Sequence, residues 1–104
     1  MLTVAETEVF SRYASDYWTE DEREIFTAWI AEHYNAGDVV RGSGGCRKVR
    51  WTRKGIGKSG GVRVIYYNML EDETIWLLLI YAKNEQENIP AHILRAIKEE
   101  ITCP

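Results

Sequence analysis

The side chains of this chain that could do chemistry are mostly basic, and they lie close together. Eight of its thirteen Lys and Arg residues fall between Arg41 and Asn68, a stretch without Asp or Glu. The eight are Arg41, Arg47, Lys48, Arg50, Arg53, Lys54, Lys58 and Arg63. Clustered cations repel one another, so this basic stretch favours a polyanionic partner, and a phosphate backbone is the commonest one.

The flanking segments are acidic. Residues 1–40 carry two basic side chains against nine acidic ones, and residues 69–104 carry three against seven, so a net charge of −3 conceals a dipolar molecule. The alternative to a phosphate partner is a solvated, solubilising face. Apolar and aromatic residues interleave the cations, and this pattern favours binding: Val49, Trp51, Val62, Val64, Ile65, Tyr66 and Tyr67.

The basic stretch could support cleavage of RNA. It contains no Ser/His/Asp, Cys/His or paired-carboxylate arrangement, so cations and phenols must do the work. In RNA the 2′-hydroxyl is itself the nucleophile, and a protein need only align it, stabilise the phosphorane and move a proton. Arg and Lys suit the second task, a Lys of lowered pKa or a Tyr suits the third, and no metal is required. Trp51, Tyr66, Tyr67 and Tyr81 are either stacking surfaces for bases or core residues.

Other motifs predict no cofactor. Gly57-Lys58-Ser59 suggests a phosphate loop, but the motif requires glycine where Thr52 stands, and the segment leads into a strand. Cys46 and Cys103 do not form a metal-ligand spacing with each other or with the two histidines, His33 and His92. We therefore expect free thiols, and neither zinc nor a disulfide.

Length and hydropathy predict one domain, residues 1–104, in the cytoplasm. The longest apolar candidate, Ile75 to Ala82, is of strand length, well short of a membrane span. The N-terminus reaches acidic residues too early for a signal peptide.

Two helices are predicted before the basic stretch. In the first, apolar residues recur at helical spacing from Glu8: Val9, Phe10, Tyr13 and Tyr17. In the second, Thr19 and Glu22 form a capping box, and the helix ends between Asn35 and Gly37. One face of it carries Ile25, Phe26, Trp29, Ile30 and His33. We expect His33 to be a partly buried helical residue and not a catalyst.

Strands and a last helix follow a turn that begins at Arg41. Arg47 to Thr52 alternates, with Arg47, Val49 and Trp51 on one side and Lys48, Arg50 and Thr52 on the other. The runs 62–70 and 74–83 predict a hairpin, and a helix with an apolar stripe starts near Pro90. The order (β)ααβββα predicts an α+β fold in which helices cover one face of an antiparallel sheet and the other face is free to bind.

Several of these segments together resemble the RelE/HigB branch of the RelE/ParE toxin superfamily. They are Ala36-Gly-Asp, Arg41-Gly-Ser-Gly-Gly-Cys-Arg-Lys-Val-Arg-Trp, Gly57-Lys-Ser-Gly-Gly-Val-Arg-Val-Ile-Tyr-Tyr and Leu77-Leu-Leu-Ile-Tyr-Ala-Lys-Asn-Glu. The resemblance spans roughly residues 1 to 102. It implies a toxin of a type II toxin–antitoxin pair, with metal-independent cleavage of mRNA in the ribosomal A site. The implied fold packs two N-terminal helices and a C-terminal helix on a twisted antiparallel sheet.

The resemblance also implies roles for individual residues and for partners. The catalytic residues would be Arg63, which matches the arginine at the scissile phosphate, together with Lys83 and Arg50. The residues that bind RNA or the ribosome would be Arg41, Arg47, Lys48, Arg53, Lys54, Lys58 and Tyr81. The partners would be the ribosome, mRNA and an antitoxin encoded by the adjacent gene, with a helix-turn-helix domain in that antitoxin as one option.

Two other functions remain open at this point. One is a ParE-like protein that poisons DNA gyrase by binding, without catalysis. The other is a non-toxic RNA-binding module. The density of cations between Arg47 and Arg63 suits contact with rRNA and mRNA better than poisoning of a protein.

Overall fold

The computed structural model describes residues 2–52, 61–83 and 88–102, which form an α+β fold. The elements are β1 (Thr3–Glu6), α1 (Glu8–Tyr17), α2 (Glu20–Glu32), β2 (Asp38–Val39), β3 (Arg47–Trp51), β4 (Val62–Met69), β5 (Thr74–Ala82) and α3 (Ala91–Thr102). A 3-10 turn over Leu70–Asp72 joins β4 to β5. The predicted order is confirmed, and the two-residue strand β2 is an addition to it.

The sheet is mixed and has the strand order β1-β5-β4-β3-β2. The β2–β3, β3–β4 and β4–β5 pairs are antiparallel, as predicted, but β1 runs parallel to β5. Strands β4 and β5 form the predicted hairpin, and Glu73 closes it in a left-handed conformation with φ 52°. The parallel pair is possible because two helices separate β1 from the rest of the sheet in the chain.

A bulge in β5 fixes how the first helix meets the sheet. Ile65 pairs with Leu79 whereas Tyr66 pairs with Leu77, so Leu78 is an extra residue. The Leu78 carbonyl accepts a hydrogen bond from Thr7 Oγ1 at 2.8 Å. Because the same oxygen of Thr7 accepts from the Phe10 amide at 3.0 Å and caps α1, the bulge also determines the orientation of that helix.

Helices cover both faces of the sheet. The first two helices cover one face, where the core contains Phe10, Ala14, Trp18, Phe26, Ile30, Val49, Val62, Val64, Tyr66, Ile75, Leu77 and Ile80. Helix α3 covers the opposite face, here called the α3 face, where the core contains Cys46, Ile65, Leu78, Tyr81 and Leu94. The prediction that one face is left free is therefore wrong. Strands β4 and β5 carry apolar residues on both sides, so both faces must be buried.

The second helix begins as predicted and ends slightly early. The Glu22 amide donates to Thr19 Oγ1 at 3.2 Å, and the Thr19 amide donates to Glu22 Oε1 at 2.8 Å, which completes the capping box. His33 is the C-cap and is exposed, not partly buried, with its ring stacked on Trp29 at 4.7 Å. In α1, Phe10 is buried as predicted, but Val9 and Tyr13 are 42% and 46% exposed.

Candidate functional site

Two arginines and a tyrosine form a row across the α3 face. Arg50 on β3 pairs directly with Arg63 on β4, and Arg63 pairs with Tyr81 on β5. Directly opposite residues on neighbouring strands have Cβ atoms about 5 Å apart. Their strand neighbours Val49, Val64 and Ile80 all pack into the core of the opposite face, so the three side chains share the α3 face. The sheet thus brings together Arg50 and Arg63, which are predicted catalytic residues, and Tyr81, which is a predicted RNA-binding residue.

The row concentrates positive charge. Two like charges directly opposite each other destabilise a sheet unless an anion lies between them or beside them. Arg50 is exposed, and in residues 2–52, 61–83 and 88–102 no carboxylate lies within ion-pair distance of it. Arg63 is half-buried next to it. A phosphate that bridges the two guanidinium groups would accept hydrogen bonds from both.

Tyr81 ends the row on the side of β5. Its side chain is 7% exposed and packs with Leu94 of α3. Burial raises the pKa of the Tyr81 phenol, and the nearby charge of Arg63 offsets part of that rise. The phenol is therefore protonated at neutral pH, and it can donate a hydrogen bond to an oxygen held by the arginines.

Two lysines flank the row. Lys48 lies two residues before Arg50 on the same face, where it pairs with Ile65. Its Nζ donates to Asn88 Oδ1 at 3.2 Å, three residues before α3 begins. Lys83 follows the last residue of β5 and is exposed. The structure therefore places Lys83 at the end of the strand that carries Tyr81.

Arg47 does not belong to the row. It lies on the opposite face, where its Nη1 donates to the carbonyls of Gly37 at 2.7 Å and Asn35 at 3.3 Å. Tyr66 holds the same turn: its hydroxyl accepts from the Gly37 amide at 2.9 Å and donates to the Tyr34 carbonyl at 2.8 Å. Arg47 and Tyr66 thus stabilise the connection between α2 and β2. The alternation of the strand had already separated Arg47 from Lys48 and Arg50.

Arg41 is exposed in a turn that packs against α3. Ser43 organises this turn, since its Oγ donates to the Val40 carbonyl at 2.6 Å and accepts from the Cys46 amide at 3.0 Å. Gly44 has φ 81°, which favours glycine, and a Cβ there would lie 3.5 Å from Lys98 Nζ and 3.7 Å from Arg95 Nε. The fold therefore adds Arg95 and Lys98 to the basic surface around this turn.

Sequence reasoning missed these two cations because they lie in an acidic C-terminal segment. Their spacing of three residues on a helix was the available signal, since it puts them on one face.

The remaining sites of the sequence analysis fall into two groups. Arg53, Lys54 and Lys58 lie outside the described residues. Trp51 is a core aromatic, with its ring 5.0 Å from Trp29 and 5.1 Å from Phe26.

The described part of the chain contains neither a candidate metal site nor a candidate membrane span. No three His, Cys, Asp or Glu side chains there are grouped so that they could hold a metal ion. No helix there is long and apolar enough to cross a membrane.

Known proteins share this architecture. Residues 2–102 match the family model described as the RelE toxin of the RelE / RelB toxin-antitoxin system. The toxin–antitoxin complex RelBE of E. coli has a chain with 14% identity and a TM-score of 0.59, and the match covers 79% of this chain and 96% of that one.

Two structures of E. coli RelE without its antitoxin are similar as well. The isolated toxin has 12% identity and a TM-score of 0.59, with coverage of 97% of this chain and 99% of that one. A double arginine mutant in the free state has 15% identity and a TM-score of 0.57, with coverage of 93% and 96%. At these identities the likeness shows the fold, while the family match extends over nearly the whole chain: the protein belongs to the RelE toxin family.

Proposed function

We propose that this chain is the toxin of a toxin–antitoxin pair and that it cleaves mRNA in the ribosomal A site without a metal ion. The observation that supports this most is the direct pairing of Arg50 with Arg63 on the α3 face, beside a protonated Tyr81. Such a site attracts a phosphodiester and offers several donors to its oxygens.

The proposed reaction uses the RNA as its own nucleophile. The 2′-oxygen attacks the adjacent phosphorus, the bond from phosphorus to the 5′-oxygen breaks, and a 2′,3′-cyclic phosphate is left. Arg63 and Arg50 stabilise the charge that grows on the phosphorane, and loss of one such donor typically costs about 10²–10³ in rate. Lys83 and Tyr81 are the groups that can exchange protons with the 2′- and 5′-oxygens. Burial raises the pKa of the Tyr81 phenol and so keeps it in the protonated, donor form.

The inferred partners are the ribosome, mRNA and an antitoxin, and the cytoplasm would be the place of action. The RelBE structure of E. coli is a toxin–antitoxin complex, and by analogy this chain would also bind an antitoxin. The clustered cations would attract an acidic or amphipathic segment of that protein. Antitoxin binding should therefore weaken as salt rises, and charge reversal at Lys48 and Arg50 should lower its affinity.

The experiment that tests the function is expression of the chain without an antitoxin, with pulse labelling of new protein and new DNA. We expect protein synthesis to stop first, and an Arg63→Ala variant to lose the effect. Arg12→Ala is a matched control, because Arg12 lies exposed on α1. If DNA synthesis stops first, a ParE-like action on gyrase explains the toxicity, and a chain without toxicity would be an RNA-binding module.

A further inference from the structure

A groove lies on the α3 face at the end of the sheet away from the arginines. It has a volume of 580 Å³ and runs between the last turn of α3 and strands β1, β5 and β4. Trp76, which is half-buried, forms its floor and pairs with Ala5 on one side and Tyr67 on the other. Thr3, a small residue, also lines it from β1. The groove therefore presents an aromatic surface next to an edge of the sheet.

The charge around this groove is negative. Glu71 and Asp72 line it, and among the described residues that line it there is no Lys or Arg. Lys98 of α3 lies just outside, with its Nζ 5.1 Å from the centre of the Tyr67 ring. A cation thus already rests on one aromatic side chain of this region, and Trp76 is a better acceptor for a cation than tyrosine. The carboxylates disfavour a nucleic acid as the occupant.

The strand beside the groove has a free edge in the described part of the chain. β1 has one neighbour, β5. The amides of Thr3 and Thr7 donate to the carbonyls of Glu73 and Leu77, so in this parallel ladder the backbone of Val4 points away from β5. An extended segment could therefore pair with Val4, and such edges commonly bind peptides in this way.

The side chains of β1 that line the groove are small, so a long side chain from a neighbouring strand can reach over them to the ring of Trp76. A strand added beside β1 would lie about 10 Å from β5, two strand spacings away. The side chains of Thr3 and Ala5 lie between them on the α3 face and are small. A Lys or Arg side chain can extend over them, whereas a large residue at position 5 would block it.

We propose that this groove is a docking site for a protein segment in extended conformation that carries a Lys or Arg side chain. The segment pairs with the outer edge of β1, and its cation lies over Trp76 near the carboxylates of Glu71 and Asp72. Arg63 and Met69 stand near opposite ends of β4, about 20 Å apart, so such a partner leaves the arginine row open.

The test uses a capped peptide, acetyl-Thr-Val-Arg-Val-Thr-amide, titrated into the full chain and followed by NMR. We expect saturable chemical-shift changes at the Val4 amide and the Trp76 indole N–H. When Glu replaces Arg in the peptide, the affinity should fall by about fivefold or more. The variant Glu71→Gln/Asp72→Asn should weaken binding to a similar degree. Glu24→Gln/Glu32→Gln changes the net charge equally on the exposed surface of α2 and should have little effect.

Ala5→Leu provides a second variant. It should weaken peptide binding, because it obstructs the path from β1 to Trp76 while it leaves the carboxylates in place. Several outcomes would overturn the proposal: no shift at Trp76 up to the solubility limit, equal effects of the two charge variants, or binding of an oligouridylate at Trp76. The same holds if the Trp76 signal depends on protein concentration without peptide, since a second copy of the chain would then be the occupant. None of these results depends on RNA cleavage, so the docking site and the proposed function can fail separately.

Discussion

Neighbouring cations in the basic stretch have different roles because a strand points successive side chains to opposite faces. Arg47 donates to two backbone carbonyls near α2, whereas Arg50, three residues on, lies opposite Arg63 on the α3 face. The composition of the stretch predicts a phosphate partner but does not separate these roles. The alternation does separate them, once the face used for binding is known.

Arg63, Arg50 and Lys83 should act in the transition state. We expect Arg63→Ala, Arg50→Ala and Lys83→Ala each to lower single-turnover cleavage of mRNA on programmed ribosomes by about 10²–10³. Ribosome binding should stay largely intact in Arg63→Ala and Lys83→Ala, whereas Arg50→Ala also removes one phosphate contact and should weaken binding. Lys54→Ala and Lys58→Ala should instead weaken binding, with near-normal cleavage at saturating toxin. If Arg63→Ala and Lys83→Ala both cleave at close to the parental rate, these residues do not stabilise the transition state.

Arg47 should matter for stability and not for cleavage. Arg47→Ala removes two hydrogen bonds to the turn between α2 and β2. A hydrogen bond from a charged donor typically contributes about 1.5–3 kcal/mol to the free energy of unfolding. We expect the free energy of unfolding in urea to fall by about 1–2 kcal/mol, because Arg47 is half-exposed and water replaces part of the loss. Saturated cleavage should stay close to parental. A loss as large as that of Arg63→Ala would place Arg47 in the reaction.

At the scale of elements, an ion pair ties the edge strand β1 to α2. Arg23 Nε donates to Glu6 Oε2 at 3.1 Å, and Ser11 Oγ donates to Glu6 Oε1 at 2.7 Å. The hydrogen bond from Arg23 is the main cause that holds the pKa of Glu6 below its usual range, against the opposing effect of burial. The pair therefore contributes stability above the ordinary pKa of a glutamate, and this contribution is lost as the pH falls through the lowered pKa.

This linkage predicts an acid-dependent difference between the parental chain and Glu6→Gln. We expect the parental chain to have the higher free energy of unfolding at neutral pH and the difference to shrink as the pH falls below about 4.3, the ordinary value for glutamate. Glu24→Gln, at an exposed position on α2, serves as the control and should show no such convergence. A difference that stays constant down to acid pH would mean that the charge of Glu6 does not contribute.

The elements were predictable where a local signal marks them. The Thr19 capping box, the hairpin of β4 with β5 and the stripe of the last helix each need only a few neighbouring residues, and all three are present. The side on which α3 packs depends instead on whether the second face of β4 and β5 must be buried. That is a property of the assembled sheet, as are the parallel pairing of β1 and the bulge at Leu78.

On the scale of the whole molecule, separation of charge reconciles a net charge of −3 with a polyanionic partner. The row of Arg50 and Arg63 lies at one end of β4, and the acidic turn with Glu71 and Asp72 follows the other end. The field of a polyanion, such as the ribosome proposed as partner, would orient a molecule with this dipole before contact, so that its cationic end approaches first. The fold also extends the cationic surface with Arg95 and Lys98 of α3, which are distant in sequence.

The dipole predicts that ribosome binding depends on where a charge lies and not only on the net charge. The logarithm of the binding constant should fall linearly with the logarithm of the salt concentration. Arg50→Glu should reduce the magnitude of that slope by about one, because it removes one phosphate contact. Arg12→Glu changes the net charge by the same amount on the exposed surface of α1, and should leave the slope nearly unchanged. Sedimentation of toxin with ribosomes over a series of salt concentrations measures both. If the two variants shift the slope equally, the ribosome senses only total charge, and the end of the sheet that carries Arg50 and Arg63 is not the surface that binds it.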